Sequence, residues 1–344
     1  MSHSCPPLFP RRQRGMTLVE LMVAMAVGLL LVAGLIALYA NASQSATELE
    51  KSVRQIENGR YAVDLLAEDL SMAGYFGEAV ADGMAAAVSP CSDGPTMLTD
   101  LKAKAAASPA VVPFGVRGLT PDEADALGCL ANHLAGTPAV IVHRLDTRAV
   151  ATTAMAADTL YVQSSFNAAE TTATYVASAT PGEMVLKDLT GATNKVRRYL
   201  SRVYYVASCS DCGRDTIPTL KRAELVGNSV VISPLAEGIE RIGFDYGFDT
   251  NSDGTPETWI GLSGGADATV STAAATLGWG NVVAVRIHVL ARNTEPSVAF
   301  VDDRSYAGGL SGTATFTVGP YGDAYKRRDY TTTARLNVVA GQRE

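Results

Sequence analysis

The sequence lacks a cluster of basic residues beyond its first fifteen positions, and its formal net charge is −7. Proteins that bind nucleic acid usually carry a basic patch that contacts phosphate groups. We therefore expect no nucleic-acid partner. The 344 residues are enough for one large domain or two modest ones, and no internal repeat is evident.

Long apolar runs are scarce as well, because only residues 16–40 are apolar over a length that could cross a membrane. A helix of this length covers roughly 37 Å at about 1.5 Å per residue, which spans a bilayer core. A secretory signal would have an apolar core of only about 7–15 residues. Arg11, Arg12 and Arg14 precede the run and favour the cytoplasmic side. The pattern predicts a single-pass membrane protein whose C-terminal domain is exported.

One carboxylate, Glu20, interrupts this apolar run. An acidic side chain in a membrane helix costs roughly 2.5–3.5 kcal/mol on insertion scales, so it usually has a partner. Glu20 could reach the lipid headgroups from a position near the helix end. It could instead pair with a free amine at the start of the helix. The residue alone leaves both interpretations open.

The segment around Glu20 resembles the processing site of type IV prepilins. Residues 14–20 read Arg-Gly-Met-Thr-Leu-Val-Glu, which combines a basic leader, a glycine, an apolar residue and a glutamate at a fixed offset. In that family a peptidase cuts after the glycine and methylates the new N-terminus. The resemblance implies cleavage between Gly15 and Met16 and N-methylation of Met16. It also implies that Glu20 pairs with the Met16 amine, which can belong to a neighbouring subunit of a filament.

Further segments are similar to the PilW-type minor pilins. They read NGRYAVDLL at 58–66, MAGYFG at 72–77, YGFD at 246–249, NVVAVR at 281–286 and RRDY at 327–330. The resemblance implies a minor pilin in a tip complex that primes pilus assembly and supports twitching motility and adhesion. The implied partners are the prepilin peptidase, other minor pilins, the major pilin, a large tip adhesin and the inner-membrane assembly platform. The C-terminal domain would be periplasmic before assembly and lie at the pilus tip afterwards.

Two other functions are compatible with parts of the sequence. A minor pseudopilin of a type II secretion system shares the processing site and can carry calcium loops. A membrane-anchored hydrolase is suggested by the G-x-S-x-G pattern at 261–265, with Ser263 as nucleophile. That motif needs a strand before the serine and a helix after it. Because a Gly-rich loop follows Ser263, we expect a protein that is not an enzyme.

We predict four segments in an α+β fold. They are a leader at 1–15, a transmembrane and filament-core helix at 16–40, an amphipathic continuation of the helix at 41–77, and a β-rich globular domain at 78–344. Apolar residues recur mostly at three- and four-residue steps in the continuation, which predicts a helix packed under a β-sheet. They are Leu49, Val53, Ile56, Val63, Leu66, Leu70 and Ala73. The glycines of the segment 74–77 should end the helix.

The globular domain is predicted to consist mainly of antiparallel strands, since several segments alternate polar and apolar residues. Residues 79–180 are rich in Ala, Thr, Ser and Gly and are interrupted by prolines. We expect loops there, with short strands at 139–143 and 160–163. Longer strands are predicted at 198–208, 219–226, 229–233, 239–248, 281–292 and 329–339.

Five cysteines are present, and Cys5 would be lost with the leader. An even number of cysteines in an exported domain suggests disulfides, and four cysteines allow three pairings. Only Ser-Asp separates Cys209 from Cys212, so we pair these two and assign the second disulfide to Cys91–Cys129. A C-x-x-C segment could instead be redox-active or half a zinc site. A following helix, which would lower the thiol pKa, and two further zinc ligands are both missing, so structural disulfides are favoured.

An acidic segment at 249–257 resembles the first half of an EF-hand calcium loop. Oxygen ligands alternate along it, and a glycine, Gly254, follows at the turn. The candidate ligands are Asp249, Asn251, Asp253, Thr255 and Glu257. The second half departs from the EF-hand, because Ile260 stands where a bidentate glutamate is expected. The flanking residues suggest a loop between strands. A calcium site is favoured over a plain Asx turn, which such a composition also forms.

Overall fold

The computed structural model describes residues 15–79, 83–167, 169, 173–261, 276–310 and 313–343. It contains four α-helices in these ranges: α1 Leu18–Ser71, α2 Gly94–Ala105, α3 Pro121–Asp125 and α4 Asn337–Gly341. The fold is α+β, as the sequence predicted. The chain divides into two compact units, residues 1–51 and 52–344, and α1 contributes to both.

Fifteen strands lie in the described parts of the second unit. They are β1 Met84–Ala85, β2 Val112–Pro113, β3 Val116–Leu119, β4 Ala139–Val150, β5 Tyr161–Ser164, β6 Tyr175–Ser178, β7 Val196–Ala207, β8 Thr219–Val226, β9 Ser229–Glu237, β10 Ile239–Phe248, β11 Thr258–Gly261, β12 Val282–Arg292, β13 Tyr306–Leu310, β14 Thr313–Val318 and β15 Arg327–Arg335. The predicted strands at 219–226 and 239–248 have the same bounds in the structure.

The strands form two large antiparallel sheets and two small pairs. The seven-stranded sheet is centred on β7, which pairs with β4 along one edge and with β5 and β8 along the other. The four-stranded sheet has the order β11-β10-β12-β15. Its central strands β10 and β12 are buried almost throughout, because they are rich in β-branched and aromatic residues.

The C-terminal part of α1 packs into the core between side chains of both sheets. Val63, Leu66 and Leu70 of α1, with Ala73 just after the helix, are buried against β4, β7, β10 and β12, as the predicted apolar stripe requires. Nearer the N-terminus the stripe prediction was wrong. Leu49 is 66% exposed and Val53 is 43% exposed. Burial begins at Gln55, whose side-chain amide donates to the carbonyls of Ala291 and Lys326 at 2.8 Å each.

The end of α1 depends on two glycines that touch. The helix ends at Ser71, just before the predicted glycine cluster, and Gly74 has φ +79°. A Cβ on Gly115 would lie 2.5 Å from the Gly74 nitrogen, so only glycine fits there. The Gly74 N–H donates to the carbonyl of His143 at 3.0 Å, which ties the helix end to β4.

Helices in three regions correct the sequence prediction. α2 and α3 lie in the region predicted to be loops and short strands. Asp93 caps α2 through the N–H of Thr96, and Thr120 and Glu123 form a capping box on α3. The predicted strand at 329–339 ends at Arg335, and α4 follows it because Val339 and Ala340 pack into the core.

Candidate functional sites on the helix and the acidic loop

The predicted cleavage position lies just outside the regular helix. Gly15 and Met16 precede α1, and both are exposed. Thr17 starts the helix: its carbonyl accepts from the Leu21 N–H at 3.1 Å, and its hydroxyl accepts from the Glu20 N–H at 3.3 Å. The Gly15–Met16 peptide bond therefore lies in exposed backbone outside the regular helix.

Glu20 occupies the first turn of α1. A carboxylate at this end of a helix interacts favourably with the helix dipole. In the uncleaved chain the Met16 nitrogen is an amide, so an ion pair with Glu20 can form only after cleavage creates an amine. An ion pair between Glu20 and the Met16 nitrogen would therefore require cleavage of the Gly15–Met16 bond.

The first part of α1 is covered with exposed apolar side chains. It is the one helix in the described residues that is long and apolar enough to cross a membrane, and its most apolar window buries none of its residues. Large apolar side chains between positions 16 and 39 are 50–77% exposed. They are Met16, Leu18, Val19, Leu21, Met22, Val23, Met25, Val27, Leu29, Leu30, Leu31, Val32, Leu35, Ile36, Leu38 and Tyr39. A surface of this kind is stable only in lipid or against other apolar helices.

The acidic segment connects β10 to β11, and Phe248 pairs with Thr258 across its base. Asp249 is 1% exposed and organises the loop. Its carboxylate accepts from the N–H groups of Ser252 at 2.6 Å and Gly254 at 3.0 Å. Burial alone would raise the pKa of Asp249, but these bonds and Arg343 outweigh burial and lower the pKa below its ordinary value.

Three carboxylates converge in this loop. Oxygens of Asp249, Asp253 and Glu257 lie within 4.8 Å of one another, so the group could hold a metal ion. The hydroxyl and N–H of Thr255 donate to Asp253 and lower its pKa. Glu257 accepts from the Thr250 N–H at 2.8 Å. These N–H and hydroxyl donors partly offset the negative charge of the three carboxylates.

Arg343 also contacts this loop, although the sequence did not indicate it. Its guanidinium donates to the Asp249 carboxylate at 3.1 Å and to the Asn281 side-chain oxygen at 2.6 Å. It lies 94 positions from Asp249, so no local pattern indicated the contact. The side-chain amide of Asn251 donates to the Asp253 carboxylate at 3.0 Å, and its Oδ1 accepts from the Asp253 N–H at 3.0 Å.

The four cysteines of the described residues form two disulfides, Cys91–Cys129 and Cys209–Cys212. Their Cα–Cα distances are 5.5 Å and 5.0 Å, within the ordinary range. Ser263 of the G-x-S-x-G pattern lies outside the described residues. His143 and His288 both lie in strands, on β4 and β12.

Comparisons with known proteins match two parts of the chain. Residues 203–337 match the family described as type IV pilus-assembly protein W (PilW), and residues 10–36 match the prokaryotic N-terminal methylation motif. No curated protein sequence matches the chain. A solved structure, a type IV-like pilin from Thermus thermophilus, is similar at 11% identity and a TM-score of 0.35, covering 83% of this chain and 98% of its own. A likeness this weak supports no functional argument. The two sequence matches support a PilW-type minor pilin of a type IV pilus.

Proposed function

We propose that the protein acts in a tip complex that primes assembly of a type IV pilus and so supports twitching motility and adhesion. Its C-terminal domain would be periplasmic before assembly and lie at the pilus tip afterwards. Other minor pilins, the major pilin, a large adhesin and the assembly platform would be its partners. The observation that carries the proposal is the exposed apolar part of α1 directly after a prepilin-type cleavage sequence.

Glu20 is proposed to direct the transfer of α1 from lipid to filament. In lipid its carboxylate is costly, and this cost falls when the carboxylate meets an amine. The N-terminus of Met16 supplies that amine after cleavage. Because helices in a filament lie side by side, the amine of a neighbouring subunit is equally suitable.

Replacing Glu20 with alanine should leave membrane insertion intact but reduce the protein in sheared pili at least about tenfold, since a buried ion pair is lost. The measurement is quantitative immunoblotting of pilus and membrane fractions. Glu57→Ala is the matched control, because Glu57 is exposed on the same helix beyond the apolar run. It should assemble normally.

Two outcomes would contradict the proposal. One is a normal level of the Glu20→Ala protein in pili. The other is an intact mass from wild-type pili that still contains residues 1–15.

Deleting the gene distinguishes the pilus from the type II pseudopilus, because loss of twitching with normal exoprotein secretion is expected only for the pilus.

We propose further that the acidic loop binds Ca²⁺. The support is the convergence of three carboxylates, because a hard cation prefers several oxygen ligands in a flexible loop. The pair between Asp249 and Arg343 makes Asp249 partly structural, so its substitution would disturb the loop with or without an ion. Asp253 and Glu257 are exposed and are the better positions to test.

Calorimetry of the full chain in detergent should detect Ca²⁺ binding that weakens at least about tenfold in Asp253→Asn and in Glu257→Gln, since each removes one charged ligand. A chelator should lower the melting temperature of the wild type, because an ion at about a hundred times its Kd stabilises by roughly 2.7 kcal/mol. Asp211→Asn, at an exposed carboxylate of another loop, is the control. Equal heats in wild type and both loop variants would end the calcium proposal.

A further inference from the structure

A buried lysine lies against the Cys209–Cys212 disulfide. Lys221 is on β8 and is 6% exposed. Its ammonium donates to the carbonyl of Ser210 at 3.0 Å and lies 3.7 Å from the Cys212 Sγ. In the part of the chain that the structure describes, no carboxylate pairs with it within 4.0 Å. A buried ammonium without a carboxylate in direct contact is costly, so its place beside a sulfur atom calls for an explanation.

Asp215, a carboxylate in the same turn, has other hydrogen-bond partners. Asp215 accepts from the N–H groups of Ile217 at 3.0 Å, Asp211 at 2.7 Å and Ser210 at 2.8 Å. These bonds, with a smaller contribution from Lys221, lower the pKa of Asp215 and keep it ionised. Asp215 therefore holds the turn that carries both cysteines.

Other charges around the turn are engaged with partners of their own. Asp211 pairs with Arg214 at the surface at 3.0 Å. Glu237, from β9, accepts from the Ser210 hydroxyl at 2.8 Å. Of the charged groups around the turn, the Lys221 ammonium is therefore the one that contacts a disulfide sulfur, Cys212 Sγ.

A thiolate at Cys212 is the anion that would complete this arrangement. A cation next to a cysteine lowers the thiol pKa and favours the thiolate, which is the form that exchanges with disulfides. The C-x-x-C segment is followed by a turn and the strand β8, as the sequence predicted, and Lys221 on β8 supplies the positive charge that a helix N-terminus would otherwise provide. Cys212 is half-buried and Cys209 is buried, so Cys212 is the more accessible of the two.

We propose that Cys209 and Cys212 form a thiol–disulfide exchange site, in which Cys212 is the exchanging sulfur and Lys221 stabilises its thiolate. The co-reactant is the disulfide of an oxidoreductase of the C-x-x-C type, or a small-molecule disulfide. When the exchange runs in reverse and the Cys209–Cys212 disulfide is reduced, the co-reactant is the corresponding dithiol.

The exchange proceeds in two balanced steps. The Cys212 thiolate attacks one sulfur of the partner disulfide, so a mixed disulfide forms and the partner's second sulfur leaves as a thiolate. Cys209 then loses its proton and attacks the Cys212 sulfur. The Cys209–Cys212 bond forms, and the partner's first sulfur leaves as the second thiolate. Two electrons pass from this protein to the partner disulfide, which becomes a dithiol after taking up the released protons; a dithiol partner reverses both steps.

The Cys91–Cys129 disulfide provides an internal reference. No cationic side chain donates to either of its sulfurs among the described residues. Once reduced, its thiols should therefore react as cysteines without a neighbouring cation do. Comparing the two pairs within one molecule removes differences in protein concentration and reagent.

The test measures alkylation of the reduced full-length protein in detergent. Iodoacetamide is pulsed at pH 6.5, and each cysteine is quantified by peptide mass spectrometry, so Cys5 does not interfere. We expect Cys212 to react about five to ten times faster than Cys91 and Cys129, because a nearby cation raises the fraction of reactive thiolate. Lys221→Met should remove this advantage, and Lys221→Arg should keep it. The wild-type Cys209–Cys212 pair should also be reduced at a lower dithiothreitol concentration than Cys91–Cys129.

Equal Cys212 rates in the wild type and Lys221→Met would overturn the proposal and leave a purely structural disulfide. If Lys221→Met does not fold, the pH profile of wild-type alkylation decides instead. An inflection for Cys212 below about pH 8 supports the exchange site, and one at or above about 8.5 overturns it.

Discussion

Replacing Arg327 with methionine should lower the free energy of unfolding by about 3–5 kcal/mol, because it leaves buried carboxylates without their cation. The Arg327 side chain is fully buried at the start of β15. Its guanidinium donates to Glu240 at 2.6 Å, to Asp302 at 2.9 Å and to Asp323 at 2.7 Å. The Arg327 guanidinium lies over the ring of Tyr321, with its Cζ 3.5 Å from the ring centroid.

The loss is large because Asp302 cannot reach water. Its carboxylate is fully buried, and its remaining donors are Tyr306 and Arg304. Denaturant titration followed by tryptophan fluorescence measures the change, since Trp279 packs in the core against Tyr246. Arg148→Met is the control: Arg148 is 88% exposed, and its loss should change stability by no more than about 0.5 kcal/mol.

The difference between wild type and Arg327→Met should shrink as the pH falls. Bonds from Arg327 lower the pKa of Asp323. Burial opposes ionisation of Asp302, but bonds from Arg327 and Tyr306 outweigh it and lower that pKa too. A carboxyl with a lowered native pKa adds stability above its unfolded pKa and loses it as the pH falls through the native value. The two proteins should therefore converge below about pH 4, and a difference that stays constant to pH 2 would contradict the ion-pair explanation.

The strands were the most predictable part of the fold. β8 and β10 combine β-branched and aromatic residues with clear turns on both sides, so local pattern and final packing agree. The strand predicted at 329–339 continued past the end of β15, because Val338 and Val339 favour strands locally. The core contacts of Val339 and Ala340 select a helix there instead.

The sequence contains helix-start patterns for α2 and α3, but the composition of the surrounding segment favoured a prediction of loops. Asp93 with Pro95, and Thr120 with Pro121 and Glu123, are helix-start patterns. They stand in a segment whose alanines and prolines suggested loops. The convergence of carboxylates in the acidic loop could be predicted, because Asp249, Asp253 and Glu257 lie close together in sequence. Arg343 and Lys221 could not, because each reaches its site from another element.

Substituting alanine for Asp69 should destabilise the protein by about 3–5 kcal/mol, because it leaves two arginines and a tyrosine without their common acceptor. Asp69 is 5% exposed near the end of α1. Arg144 and Arg202 donate to its Oδ1 at 2.6 Å and 2.9 Å, and the Tyr204 hydroxyl donates to its Oδ2 at 2.6 Å. One carboxylate thereby joins the helix to β4 and β7.

Asp64→Ala is the matched control for this prediction. Asp64 lies on the same helix, five positions earlier, and is exposed. Its replacement should change the free energy of unfolding by no more than about 0.5 kcal/mol. Both proteins are compared with wild type by the same denaturant titration.

A double-mutant cycle separates this contact from a general effect on the helix. Arg144 has Asp69 as its carboxylate partner, whereas Arg202 also pairs with Glu224 at 3.1 Å. We therefore expect a coupling energy of at least about 1 kcal/mol between Asp69→Ala and Arg144→Ala. The coupling with Arg202→Ala should be smaller, because Glu224 retains part of the charge balance. Additive losses in both cycles would mean that Asp69 stabilises α1 by itself, and the carboxylate would then not be what fixes the helix end against the sheet.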